Sequence, residues 1–151
     1  MKITLEIDIS CRPDEVFSWI NDPDKAMRWQ KGVKSGEILK ETSEKIGTRF
    51  KEVLEENGKS LEMLGEITDY IPDKLISFHL ESKIHRVDVH YAVAGELNKS
   101  KVTIDLVLQW KFPMNIIGLI LGHKLKGNIL KQSKSELEQL KILCETDHNR
   151  Y

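Results

Sequence analysis

Two side chains in this sequence combine a reactive type with a placement that could use it. Glu52 falls in phase with Phe50 and Leu54, so a strand through this stretch turns its carboxylate to the same side as two apolar neighbours. Burial on that side raises a carboxyl pKa, which is what a general acid or base requires near neutral pH. A slip in strand phase at a bulge would instead leave the acid in water. Tyr91 shares a row with Val87, Val89 and Val93. Its hydroxyl is then one of few polar atoms on an apolar face, open either to a ligand or to an ordinary backbone hydrogen bond. Glu52 and Tyr91 are the acid and base candidates.

The other reactive types do not converge. His85 and His90 fall on opposite sides of one strand, and His79, between Phe78 and Leu80, faces solvent. His123 stands beside Lys124 and Lys126 and reads as part of a solvated helix face. Cys11 and Cys144 have no C-x-x-C partner and no histidine at a zinc-finger distance, so they read as reduced structural thiols. Neither a metal nor a cofactor is expected. Gly118 and Gly122 form G-x-x-x-G within an apolar run. That run is about half of the roughly 20 residues a bilayer crossing needs, so no stable membrane insertion is expected.

The elements that must position these side chains follow from hydrophobic period. Ile3, Leu5, Ile7 and Ile9 alternate with charged or polar residues, the pattern of a half-buried strand. In CRPDEVFSWI, Pro13 suits the first helical position, Asp14 and Glu15 suit the positive helix end, and Val16, Phe17 and Ile20 share a face. Asn21 and Asp22 end that helix and cap a second one, PDKAMRWQ, which stops at Lys31 and Gly32. Six strands follow near 33–41, 47–56, 59–70, 74–82, 85–96 and 100–111, with turn signals at Gly47, Asn57 and Gly58, Pro72 and Asp73, and around Asn98. Asn57-Gly58 suits a two-residue hairpin.

Pro113 opens a helix that runs to about residue 145. Leu125, Ile129, Leu137, Leu140 and Leu143 give its second half one apolar side. Its first half, MNIIGLILG, is apolar all round and needs cover from something besides the sheet. Lys111, Lys124, Lys126, Lys131 and Lys134, followed by Glu136 and Glu138, read as a solvated face. The tail at 147–151 is expected to fray.

Composition narrows the function. At 151 residues, 40% hydrophobic and 31% charged, the chain suits one domain, 1–151, with one core. Twenty-three basic against 24 acidic side chains give a formal charge of −1, without the positive excess that nucleic-acid binding requires. The alternating start MKITLEIDIS has no apolar block of the kind a secretion signal carries, so a cytoplasmic location is expected.

The words of the sequence add a resemblance. IDISCRPDEVFSWINDPDKAMRWQKGV, with P-x-x-V-F and then D-P-x-K before a tryptophan, resembles the opening of polyketide cyclase and dehydrase-like members of the START-like (SRPBCC) superfamily. KIGTRFKEV, ITDYIPDKLISF and LEQLKIL resemble its later strands and helix end, so the similarity covers nearly the whole chain. It implies an α+β helix-grip fold: a seven-stranded antiparallel sheet wrapped around a long C-terminal helix, with two short helices after the first strand. It also implies a cavity between sheet and helix for an apolar small molecule or lipid. The expected lining is Trp29, Phe50, Met63, Phe78, Val89, Tyr91, Leu106, Leu108, Ile117 and Leu121. Trp29 would close the cavity mouth or pack beneath the second helix. A cyclase- or dehydratase-like enzyme and a protein-interaction module, as among the superfamily's chaperone activators, are the alternatives to a carrier.

Overall fold

A computed structural model describes residues 1–56, 58–112 and 114–148; the side chains of 56, 114–123, 125, 147 and 148 lie outside that description. The chain forms β1 (Lys2–Ile9), α1 (Pro13–Asn21), α2 (Pro23–Ala26), β2 (Val33–Lys40), β3 (Arg49–Glu56), β4 (Lys59–Ile71), β5 (Leu75–Glu81), β6 (His85–Glu96), β7 (Lys99–Trp110) and α3 (Met114–His148). The seven strands make one antiparallel sheet in the order β1-β7-β6-β5-β4-β3-β2. The first strand thus closes against the last, and the excursion from β2 to β6 is a run of hairpins. This is the START-like helix-grip fold.

Period two sets which side of the sheet is apolar. Ile3, Leu5, Ile7 and Ile9 on β1 pair with Leu106, Ile104, Val102 and Ser100 on β7. Val102, Ile104, Leu106 and Leu108 in turn pair with Val93, Tyr91, Val89 and Val87 on β6. These rows share one face, and most of their members are buried. The opposite face is polar: His79 Nδ1 lies 2.7 Å from Asp88 Oδ1, and Thr4 donates to Asp105 at 2.6 Å.

The core lies where α1 and the later turns of α3 cover the apolar face. Val16, Phe17, Trp19 and Ile20 are buried on α1, as are Leu137, Leu140 and Cys144 on α3. Each large side chain enclosed there contributes roughly 1.5–3 kcal/mol of apolar burial. Cys11 and Cys144, far apart in sequence, meet in this core, where the Cys11 thiol lies 3.0 Å from the Cys144 carbonyl.

One expectation needs correction. The second short helix ends at Ala26 instead of running to Gln30. Asp22 caps it by accepting from the backbone N–H of Asp24 at 2.9 Å, but Arg28 and Trp29 then bond three residues back, to Lys25 and Ala26. These are the tighter turns that end a helix, and they swing the Trp29 ring inward. β2 is exposed along nearly its whole length, with Ile38 47% and Leu39 51% exposed on opposite sides. It is the edge farthest from β1 and β7, against which α3 packs.

Candidate functional site

The inner face of β3 to β6 carries a continuous aromatic group. Tyr91 is 5% exposed, with the Trp29 ring edge-on to it at 6.0 Å and the Phe78 ring tilted against it at 6.1 Å. Phe78 in turn meets Phe50 at 5.8 Å, nearly perpendicular. Phe50 lies across its cross-strand neighbour Gly65, where a Cβ would fall 2.3 Å from the ring's Cζ. Only glycine admits that close approach, which lays the ring along the sheet. Trp29 does not stand at a mouth. It is 2% exposed, and its indole N–H donates to the Trp19 carbonyl at 2.9 Å, so it is buried and fixed to the end of α1.

Among the other expected lining residues, Met63, Val89 and Leu108 are buried, and Leu106 packs partly exposed against them. Ile117 and Leu121 are on α3, but their side chains lie outside the described residues, as do those of Leu125 and His123. Phe50, Leu54, Leu61, Phe78 and Leu106 are partly buried at the margin of the core. They form an apolar shelf beside a closed interior.

Polar groups gather at this shelf. Glu52 projects between Phe50 and Leu54 as strand phase requires, and burial raises its pKa. Glu136 joins it from α3. Its carboxylate accepts from Gln132 Nε2 at 3.1 Å. Burial pushes its pKa up to about 7; Gln132 and Lys31 pull the other way, and the negative charge of Glu52 adds to the rise. The Tyr91 hydroxyl is pushed well above its ordinary value, first by burial and then by the charges of Glu136 and Glu52, while the Gln30 side chain acts in the opposite sense. Gln132 also donates to the Lys31 carbonyl at 3.3 Å, so α3 is fastened to the segment carrying Trp29 and Gln30. Glu52, Glu136 and Gln30 are half-buried and Gln132 is exposed, so of these groups only the Tyr91 phenol is enclosed.

The grouping of Glu52 with Tyr91 agrees with the phases of their strands. Glu136 does not stand on a solvated face: it lies seven residues after Ile129 and four before Leu140, both on the packed side of α3, and turns inward with them. That spacing was available in the sequence, hidden by the surrounding lysines. Nothing in the sequence pattern marked Gln30, because its place depends on the turn after α2.

A second polar group stands at the other end of the inner rows. His85 is 8% exposed, lies 2.6 Å from Ser82 Oγ through Nδ1, and stacks on Trp110 at 5.3 Å. Burial, with Lys111 nearby, lowers its pKa. The Trp110 indole N–H is buried and has no hydrogen-bond partner among the described residues. His79 and His90 lie on the polar face, and among the described residues no group of histidine, cysteine and acidic side chains could hold a metal. An open surface groove of about 630 Å³ between the start of α1 and the β6–β7 turn shares no residue with the aromatic group.

Residues 1–145 match the model of the family described as polyketide cyclase / dehydrase and lipid transport. The chain belongs to this family. Similar solved structures include the protein TTHA0849 from Thermus thermophilus, at TM-score 0.77 and 20% identity over 93% of this chain and 94% of that one. A START superfamily protein from Mycobacterium smegmatis aligns at TM-score 0.74 and 14% identity, covering 94% of this chain and 97% of its own. The Zhui aromatase/cyclase from Streptomyces sp. R1128 aligns at TM-score 0.77 and 13% identity, covering 96% and 93%. At these identities the likeness is one of fold. No curated protein matches the chain by sequence. Among the described residues, no helix of this family member is long and apolar enough to cross a membrane.

Proposed function

We propose that this polyketide cyclase-family protein, acting as one unit over 1–151, binds an apolar small molecule or lipid between the inner sheet face and α3. The observation that carries this reading is the partly exposed apolar shelf of Phe50, Leu54, Leu61, Phe78 and Leu106 beside a closed core. A guest covering that shelf gains roughly 25 cal/mol per Å² of apolar surface removed from water, and a few polar groups orient it. Trp29, Met63, Val89, Tyr91 and Leu108 form the back wall, and Ile117 and Leu121 belong to the proposed lining on α3. Titration with the neutral dye N-phenyl-1-naphthylamine tests the reading. Saturable, blue-shifted emission and a rise in melting temperature are expected; no emission change and no thermal shift would contradict it.

A second reading, a cyclase- or dehydratase-like reaction, rests on Glu136, whose carboxyl titrates at about 7 beside Tyr91 and Glu52. A carboxyl poised there exchanges protons readily at neutral pH. Under this reading, Glu52→Gln and Tyr91→Phe abolish turnover of a bound substrate while leaving its affinity intact, and unchanged rates remove both residues from the chemistry.

A further inference from the structure

Leu106, Leu108 and Trp110 follow one another along the inner side of β7, and His85 is the cross-strand partner of Trp110 on β6. The apolar shelf therefore runs, through Leu108, into a pair of stacked rings. The chemistry of that pair is fixed by Ser82. Its Oγ accepts the backbone N–H groups of Ile84 at 3.2 Å and of His85 at 3.1 Å. Both lone pairs are then engaged, so its own proton goes to the nearest acceptor, His85 Nδ1 at 2.6 Å, ahead of the His85 carbonyl at 3.3 Å. With Nδ1 accepting, the neutral imidazole carries its proton on Nε2. Burial favours that neutral form.

Trp110 stacks on this ring with centroids 5.3 Å apart and planes within 24°. Its indole N–H is buried with no acceptor among the described residues, and none of them takes the His85 Nε2 proton. A buried donor without a partner is costly and rare. Two of them on stacked rings, at the end of an apolar row, call for an acceptor from outside the chain. We propose that His85 Nε2–H and Trp110 Nε1–H are the polar anchor of the guest site and hold the carbonyl oxygen of an apolar ketone or ester, whose hydrocarbon body lies along Leu108 toward Leu106 and Phe50. This rests on the binding reading above and adds to it the residues that orient the guest and the group they recognise.

Other oxygen groups fit this pair less well. An alcohol brings a donor of its own, and the Ser82 lone pairs and His85 Nδ1 are already engaged. A carboxylate would need a cation beside it once buried, and Lys111 Nζ lies 3.5 Å from the Glu81 carboxylate, which already pairs with it. A carbonyl oxygen only accepts, so it satisfies the ring N–H groups and leaves no polar atom of its own unmatched.

The test is displacement of N-phenyl-1-naphthylamine by octan-2-one and by 2-methyloct-1-ene, in which a methylene replaces the carbonyl oxygen. Trp110→Phe keeps a ring against His85 and removes the N–H. It should weaken octan-2-one about fivefold, as loss of one neutral hydrogen bond does, and leave the alkene within about twofold. In the unaltered protein, the Trp110 indole proton should move downfield in NMR spectra when the ketone is added and not when the alkene is. Nitrogen spectra of the histidines should place the His85 proton on Nε2. A variant that weakens both compounds alike, an indole proton that does not respond to bound ketone, or a His85 proton on Nδ1 would overturn the anchor while keeping apolar binding. Displacement by neither compound, with no dye bound, would overturn the binding reading as well.

Discussion

Glu136 is the residue whose ionisation sets most of the predicted pH response. Its folded pKa of about 7 lies above the ordinary 4.5, so the folded state binds this proton more tightly than the unfolded state does. Between about 4.5 and 7 the unfolded chain has already lost the proton, and stability falls as pH rises through that window before levelling off. The whole penalty is on the order of 3 kcal/mol, at roughly 1.4 kcal/mol for each pH step between the unfolded and folded values. Glu136→Gln keeps the shape and removes the charge. Urea unfolding at pH 5 and pH 8 should therefore show the variant gaining on the parent at pH 8 by about 1–3 kcal/mol. Equal pH dependence for the two proteins would place the carboxyl in water. Glu52 was legible from the sequence because a strand has only two sides. Glu136 was equally determined by its helical spacing to Ile129 and Leu140, but its charged neighbours suggest the wrong face to a reader of composition.

At the scale of elements, strands were read well and short helices less so. β6 spans His85–Glu96, as alternation indicated, and β7 differs by a residue at each end. Period two is a local property that survives folding wherever one face is buried. α2 ends early because its end is set by where the Trp29 ring finds a wall and an acceptor, which is tertiary information. The exposure of β2 follows from its place in the sheet order, which alternation alone does not give. The β3–β4 pair also carries a testable close approach. A methyl group at Gly65 cannot coexist with Phe50 in its present position, since the Cβ would lie 2.3 Å from the ring. Gly65→Ala should cost about 1–3 kcal/mol of stability through overpacking and weaken dye binding by pushing the ring off the sheet. Phe50→Leu in the same chain should recover much of both. Additive losses in the double variant would show that the two positions do not touch.

For the whole molecule, the β1–β7 end of an open sheet supports α3 along one side, and the later turns of that helix are fixed by Leu137, Leu140 and Cys144. The resemblance in the motif words and the family match agree because both record caps, turns and core positions that any such fold needs. Those words carry no ligand chemistry, so the polar group at the shelf had to come from the assembled geometry. The central claim is that an apolar guest lies on the inner face, and methyl labelling of methionine tests it most directly. Met63 belongs to the proposed back wall and is 3% exposed, whereas Met27 stands outside α2 at 37%. With a saturating alkyl guest, the Met63 methyl should give intermolecular nuclear Overhauser contacts to the guest chain and Met27 should give none. Contacts at Met27 with silence at Met63 would place the guest elsewhere and contradict the account.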